Sequence, residues 1–124
     1  MNEKDIRIGN SLLPYGEVVK VTEIGFKNDD YYLRVEGNKN GYYLDQFEPI
    51  ELTEEILLDK GFKKRGQFWF DLYLDEITKL TLSWHPDGRI DFEMSINKNT
   101  FDISHIKYLH QLQNLNFILS NKEL

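Results

Sequence analysis

The sequence predicts an α+β protein on the basis of three patterns. Residues 68–74, 80–85 and 90–96 alternate between apolar and polar side chains, as strands do when one face of a sheet is buried. Residues 104–124 instead place apolar side chains at helical spacing. The first fifty residues contain short β-branched runs between polar turns, without a helical pattern. We therefore predict a β-rich N-terminal half, a short helix, a three-stranded antiparallel meander and a long C-terminal helix.

The β-rich half covers residues 5–50. Ile6-Arg7-Ile8 reads as a short strand that ends at Gly9-Asn10. Residues 31–36 and 42–47 read as two strands on either side of a loop rich in glycine and asparagine. Strands joined by tight polar turns are typical of a small curled antiparallel sheet, and our specific prediction here is an SH3-like barrel.

A short helix follows, with clear signals at both ends. Thr53 is placed to cap it, and Glu54 and Glu55 suit the positive end of the helix dipole. Gly61 provides the residue that ends the helix. We predict a single domain, residues 1–124, with subregions 5–50 and 53–124. The segment from Gly61 to Gly66 is the only plausible seam, that is, a boundary between separately packed parts.

The meander comes next. Alternation in its first run places Trp69, Asp71 and Tyr73 on the face opposite Phe68 and Phe70. The second and third runs alternate in the same way and are joined by a turn at Pro86-Asp87-Gly88. One face of the meander is therefore apolar, and the polar face is called the outer face below.

The C-terminal helix is predicted over residues 104–124. Ser104 is placed as its N-cap and Asn121 as the residue that ends it. One side of the helix carries an apolar stripe: Tyr108, Leu109, Leu112, Leu115 and Leu119. We predict that this stripe packs across the apolar face of the meander, because such a helix is not stable alone in water.

Composition limits the functional classes. The chain has no cysteine, so disulfides and thiolate metal sites are excluded. It contains no apolar run of membrane-spanning length and its start does not read as a signal peptide, so we expect a cytoplasmic protein with no membrane partner.

The net charge of −6 comes entirely from residues 1–60, since residues 61–124 carry 8 basic and 8 acidic side chains. An acidic protein repels phosphate at long range, so we do not expect generic binding of nucleic acid. A basic protein surface is the more natural partner. The alternative is that the charge serves only solubility.

Three blocks of the sequence carry a family resemblance. They are Ile6-Arg7-Ile8-Gly9-Asn10, then Pro49-Ile50-Glu51-Leu52-Thr53-Glu54-Glu55 with Leu57-Leu58 and Gly61-Phe62, and His110-Gln111-Leu112-Gln113-Asn114-Leu115. In these blocks the chain resembles a family of small bacterial proteins carried by prophages and other mobile elements. Where that family commonly ends in H-Q-L-Q-N-L-Y-F-A-L-T-G-x-E-L, this chain differs at Asn116, Ile118, Ser120 and Asn121.

The resemblance implies a habitat and brings no enzymatic residues to carry over. Accessory genes of mobile elements often encode inhibitors of host defence. The chain is also similar to anti-CRISPR proteins that act on RNA-targeting (type VI) effectors. This similarity implies that the partner is a host defence effector, namely a CRISPR ribonucleoprotein of the host bacterial cell.

The outer face of the meander supplies the candidate binding residues. Aromatic side chains flanked by acids suit a partner surface rich in arginine and lysine. The predicted contacts are Trp69, Asp71, Tyr73, Asp91 and Glu93. Two interpretations stay open, because the N-terminal sheet would make Trp69 and Tyr73 core residues if it covered this face.

Other candidates are a basic cluster, the histidines and the carboxylates. Lys63-Lys64-Arg65, read as part of a turn, would contact RNA or a phosphate, although ordinary solvated charge explains it as well. His105 and His110 are five residues apart on the predicted helix, too far round it to share one metal ion. We predict no metal site, no cofactor and no catalytic carboxylate pair, because no nucleophile accompanies the acids.

A band of His110, Gln111, Gln113 and Asn114 lies on the C-terminal helix. It would either bind a partner's backbone or satisfy backbone groups within the fold, and we favour the second interpretation. Asn114 has a poor propensity for mid-helix positions, which indicates that its side chain bonds a specific group.

These observations lead to one functional hypothesis and two competing ones. We predict a non-enzymatic accessory protein of a mobile element that inhibits a CRISPR effector by binding a basic groove. The alternative is a small nucleic-acid-binding or regulatory module of a prophage that uses the SH3-like half with Lys63-Lys64-Arg65. An enzyme that acts through carboxylates is the third hypothesis.

Overall fold

The computed structural model describes residues 6–14, 18–27, 30–37, 42–43, 46–120 and 124. These residues form two antiparallel sheets and two helices, which confirms the α+β class. The chain divides into two compact units. The N-terminal unit contains Met1–Glu51 and Tyr108–Glu123, and the C-terminal unit contains Leu52–Lys107 and Leu124. The boundaries thus fall after Glu51 and after Lys107, and the predicted seam at residues 61–66 lies inside the C-terminal unit.

The N-terminal unit contains a five-stranded sheet with the order β4-β3-β2-β1-β5. Its strands are β1 (Ser11–Pro14), β2 (Val19–Lys27), β3 (Asp30–Val35), β4 (Tyr42–Tyr43) and β5 (Phe47–Glu48). The β2–β3 register shifts between Val21 and Glu23, an irregularity that bends a strand. Among the described residues, the buried core of this unit includes Ile6, Leu12, Val21, Leu33, Val35 and Phe47. The more detailed SH3-like assignment stays a prediction.

Helix α2 (Leu109–Ser120) belongs to the N-terminal unit, so the prediction that it packs across the meander is wrong. The backbone N–H of Leu109 donates to the carbonyl of Ile50 at 2.8 Å, and Tyr108 forms a β-bridge with Glu51. The reason lies in the composition of the buried helix face. Gln113 and Asn116 are buried beside Leu109 and Leu112, and such amides need polar partners that an apolar sheet face does not offer.

The predicted N-cap of this helix is also wrong, because α2 begins five residues after Ser104. The Ser104 hydroxyl instead accepts a hydrogen bond from the Phe92 N–H at 3.1 Å and donates one to Asp102 Oδ1 at 2.5 Å. At the actual start, Gln111 Oε1 accepts a bond from the Tyr108 N–H at 3.1 Å, as in a capping box. The predicted end at Asn121 lies outside the described residues.

The C-terminal unit is a meander of five strands, two more than predicted. After α1 (Glu54–Asp59) come β6 (Lys63–Arg65), β7 (Trp69–Tyr73), β8 (Thr78–Trp84), β9 (Ile90–Ile96) and β10 (Asn99–Asp102), which pair in sequence order. The additional strands, β6 and β10, are the short polar strands at the two edges. They lack the apolar alternation that identifies a half-buried strand from sequence.

The signals at the ends of α1 are confirmed. Thr53 Oγ1 accepts a hydrogen bond from the Ile56 N–H at 3.2 Å. Gly61 follows the last turn with φ +97°, and the Phe62 N–H then reaches the Leu57 carbonyl at 3.0 Å. This left-handed ending is one that glycine adopts without strain.

The apolar face of the meander is confirmed as core. Phe70, Leu80, Leu82 and Phe92 are almost completely buried. The Phe62 ring packs edge-on against Phe92, with 6.3 Å between the ring centroids. Burial of this face holds β7, β8 and β9 in one register, which determines what lies on the outer face.

Candidate protein-binding face

The outer face of the C-terminal unit collects all five predicted contact residues. Trp69 pairs with Ser83, and Ser83 pairs with Asp91 on the next strand. In the adjacent row, Asp71 pairs with Thr81, and Thr81 with Glu93. Directly paired residues in a sheet point to the same side, and alternate residues along a strand do too. The residues that therefore lie on one face of the sheet are Trp69, Asp71, Tyr73, Asp91 and Glu93.

Trp69 and Tyr73 are surface residues, 43% and 67% exposed. A cation lies over each ring. The Arg65 guanidinium carbon is 5.1 Å from the centre of the Trp69 ring, and Lys79 Nζ is 5.7 Å from that of Tyr73. Contacts of this kind contribute about 0.5–1 kcal/mol at exposed sites and restrict the rotamers of both partners.

Asp71 is not a surface contact, contrary to the prediction, because only 7% of it is exposed. Arg65 Nε donates to Oδ2 at 2.7 Å, and the Thr81 hydroxyl donates to Oδ1 at 2.8 Å. Burial alone would raise the pKa of Asp71, but these two hydrogen bonds and the charges of Arg65 and Lys79 lower it on balance. The carboxylate therefore holds Arg65 over the Trp69 ring.

The same ion pair acts on Arg65. The hydrogen bond to Asp71 and its negative charge raise the pKa of the guanidinium above its usual value. Arg65 therefore stays charged. A carboxylate already engaged by two donors is also a poor general acid, which counts against an acid/base role for Asp71.

Asp91 and Glu93 are exposed, as predicted for contacts. Asp91 Oδ2 lies 2.5 Å from His85 Nε2. Glu93 pairs with Asp102 on β10, which adds a third acid to this side of the face. The β9–β10 side of the outer face is consequently negative.

The β6 side of the same face carries the opposite charge. Lys63 pairs with Asp71, and Arg65 pairs with Trp69, so both cations lie on the outer face. From β6 to β10 the surface thus changes from positive, through the aromatic strand β7, to negative. The sequence did not predict this gradient, because it depends on the order of the strands.

Lys63, Lys64 and Arg65 form strand β6, not a turn as predicted. Lys64 points to the face opposite the other two, with Nζ 2.7 Å from Glu54 Oε1 and 5.8 Å from the centre of the Phe70 ring. Two of the three cations therefore have carboxylate partners within the chain. Contact with RNA or phosphate stays a prediction for this cluster.

Two of the clefts among the described residues of the C-terminal unit lie on or near its strands. One of about 330 Å³ lies at the end of the outer face, beside Tyr73, Ile77 and Lys79. Its apolar wall, Ile77, is exposed and was missed by the sequence analysis, since it lies in the turn between β7 and β8. The other cleft, about 440 Å³, is lined by Thr53, Glu54, Lys64, Gln67, Phe68, Phe70, Trp84 and His85.

In the part of the chain that the structure describes, no three His, Asp or Glu side chains are grouped to hold a metal ion. His85 lies against Asp91, and His105 is exposed in the segment before α2. His110 is buried and stacks on Tyr108, with 6.0 Å between the rings.

Gln113 of the α2 band satisfies a backbone group of the fold, which confirms the favoured interpretation for this residue, whereas Asn114 satisfies side chains. Gln113 Oε1 accepts from the Ser11 N–H at 2.9 Å. Asn114 Oδ1 accepts from Asn10 Nδ2 at 2.8 Å and from Arg7 Nε at 3.2 Å. The specific partner expected for Asn114 is thus the segment that leads into β1.

These contacts also join the blocks that carry the resemblance. Arg7 and Asn10 of the first block bond Asn114 of the third, and Ile50 of the second accepts the hydrogen bond from Leu109. The first and third blocks and the start of the second, residues 49–51, therefore lie in the N-terminal unit, whereas the rest of the second block lies in the C-terminal unit. The candidate face lies in the C-terminal unit and contains none of these residues.

No protein-family model, no curated protein and no solved structure matches this chain. The family resemblance accordingly stays a prediction. Among the described residues, neither helix is long and apolar enough to cross a membrane.

Proposed function

We propose that this protein is a non-enzymatic binding protein that docks the outer face of its C-terminal unit on a partner protein. Following the resemblance, we propose that the partner is a host defence effector, specifically an RNA-targeting (type VI) CRISPR ribonucleoprotein, and that binding inhibits it. The observation that carries the proposal is the exposure of Trp69 and Tyr73 on a regular sheet.

The geometry suits these aromatic side chains to the role of anchors. Strand β7 is paired on both sides, with β6 and β8, so its backbone is already ordered. Arg65 and Lys79 restrict the two rings further. Preformed aromatic side chains lose little conformational entropy on binding, and aromatic anchors account for much of the affinity of protein interfaces.

The charge gradient specifies the partner surface. Asp91 and Glu93 attract a basic region, and a groove that holds RNA supplies one. Lys63 on the β6 side is complementary to an acidic region of the same partner. Opposite charges at the two sides of the face would set the orientation of docking.

The test uses the RNA-loaded type VI effector, with binding measured by biolayer interferometry and inhibition by cleavage of a reporter RNA. We expect Trp69→Ala and Tyr73→Ala each to weaken binding by about 2 kcal/mol, roughly thirtyfold, if they are desolvated anchors. Glu93→Lys should chiefly slow association, and added salt should do the same.

Phe26→Ala is the matched control, since Phe26 is an aromatic residue of the other unit and is 62% exposed. Thermal melts must show that every variant stays folded. Equal losses with Phe26→Ala would refute the outer face as the docking surface. If this effector does not bind at all, the proposed partner is wrong, and a pull-down from the host then tests the face alone.

A further inference from the structure

The C-terminal sheet has two edge strands, and they differ in chemistry. Strand β6 is composed of three cations, a composition that discourages pairing with another strand. Strand β10, with the sequence Asn-Thr-Phe-Asp, contains no cation and no proline, and all four of its residues are exposed. Its register with β9 is regular, without a bulge. Strand β10 is therefore the less protected of the two edges against strand addition.

One hydrogen bond shows which backbone groups of β10 point away from its neighbour. The Ile103 N–H donates to the Phe92 carbonyl at 2.8 Å, so residues 92 and 103 occupy a hydrogen-bonding position of the ladder, although the Phe92 N–H donates to the Ser104 hydroxyl. Such positions alternate along an antiparallel ladder. Phe101 therefore bonds to β9, whereas the N–H and C=O groups of Thr100 and Asp102 point outward.

We propose that β10 is a self-association edge, where two copies of this chain pair antiparallel across a twofold axis at Phe101. In this register, Thr100 exchanges both backbone hydrogen bonds with Asp102 of the second copy. The two Phe101 rings, each 50% exposed in one copy, meet as the non-hydrogen-bonded pair, in which side chains are closest. The two sheets then form one continuous sheet.

The side chains favour a second copy as the occupant. Thr100 and Asp102 both lie on the outer face, so paired copies place each hydroxyl opposite a carboxylate rather than two carboxylates opposite each other. Asp102 Oδ1 accepts from the Ser104 N–H and hydroxyl, which leaves Oδ2 facing the hydroxyl of the second copy. Self-pairing of β6 would instead oppose cation to cation.

Sedimentation equilibrium on the full chain tests association. Between about 1 μM and 1 mM we expect the mass to rise from 14.8 kDa toward twice that value. Thr100→Pro should keep the protein monomeric and folded, because it removes an outward N–H and leaves the β9 ladder intact. Ile118→Lys, an exposed apolar residue of α2, is the control and should leave association unchanged.

Cross-linking tests the register, since the chain has no cysteine of its own. At high concentration under oxidising conditions, Phe101→Cys should form a disulfide-linked dimer, because Cα atoms in such a pair lie about 4.5 Å apart, within disulfide range. Asn99→Cys is the matched control. Its two thiols would lie more than about 10 Å apart, so the linked dimer should form at least tenfold more slowly.

Two results would overturn the proposal. One is a measured mass that stays at that of a single chain across the whole concentration range, which would show that β10 does not pair with a second copy. The other is equal rates of cross-linking for Phe101→Cys and Asn99→Cys, which would show association without this register.

Discussion

Sequence alternation places Asp71 on the solvent side of β7. Strand pairing nevertheless buries its side chain, which forms an ion pair with Arg65. Neighbours on β6 and β8 supply the Arg65 and Thr81 donors, and both act on the ionised form. Only the carboxylate of this pair is buried, since the Arg65 side chain is 58% exposed, so Asp71 needs both donors to offset the cost of burying its charge. Asp71 therefore matters for stability, and Trp69 depends on it through Arg65.

We predict that Asp71→Asn lowers the free energy of unfolding at pH 7 by about 1–3 kcal/mol, since it removes the charge that bonds Arg65. The variant should also have a flatter pH dependence. A carboxyl whose pKa is lowered in the folded state contributes to the stability of the fold. This contribution is complete above the pKa of the unfolded state, about 3.9, and is lost as pH falls through the pKa of the folded state. Urea denaturation at a series of pH values between about 2 and 7 measures both effects.

Glu93→Gln is the control, because Glu93 is an exposed acid on the same face. It should change the free energy of unfolding by less than about 0.5 kcal/mol. Asp75, Asp87 and Asp102 also have lowered pKa values, since hydrogen bonds stabilise their carboxylates, so some acid sensitivity will remain in Asp71→Asn. Identical acid sensitivity in the variant and the wild type would contradict the role of Asp71.

Among the elements, α2 shows why an apolar stripe does not identify its own packing surface. Leu109 and Leu112 are buried as the stripe predicts, but the same helix buries Gln113 and Asn116. Amides select a surface with polar groups to satisfy, and the start of β1 presents the Ser11 N–H. The helix therefore joins β1 through specific hydrogen bonds in addition to apolar burial.

We predict that Gln113→Ala destabilises the N-terminal unit by about 1–3 kcal/mol, because the Ser11 N–H loses its acceptor. Amide hydrogen exchange followed by NMR should show reduced protection at Ser11. Ile118→Ala, an exposed change on the same helix, should have little effect. Unchanged protection of the Ser11 amide in Gln113→Ala would mean that this hydrogen bond does not hold the helix to β1.

For the whole molecule, net charge bears on the proposed class of partner. The chain carries −6, and Lys64 and Arg65 of its basic cluster are paired with Glu54 and Asp71. Binding of nucleic acid depends on cations that neutralise phosphates. The charge distribution therefore supports the proposal of a protein partner rather than bare RNA or DNA.

We predict that the isolated protein does not shift single- or double-stranded RNA or DNA in a gel at near-physiological salt, even at about 10 μM protein. Binding to a bare duplex at micromolar protein would favour the alternative of a nucleic-acid-binding module. Lys63→Glu would then show whether β6 makes the contact, because Lys63 lies on the outer face at the sheet edge.

Local patterns in the sequence determined the α+β class, both ends of α1 and the outward side of β7. Each depends on residues close together in the chain: Thr53 and Gly61 at the helix ends, and alternation around Trp69 and Tyr73. Periodicity also located α2, although not its first residue.

Only the tertiary structure decided which unit contains α2, which polar strands lie at the edges, and whether Asp71 is exposed. Each of these depends on a partner distant in the sequence: the Ser11 N–H for Gln113, β9 for the polar strand β10, and Thr81 for Asp71. Periodicity reports the face on which a side chain lies, but not the register or the strand order that place a second segment against it. Those are set by the balance of burial and hydrogen bonding over the assembled sheet, which no single segment of this chain contains.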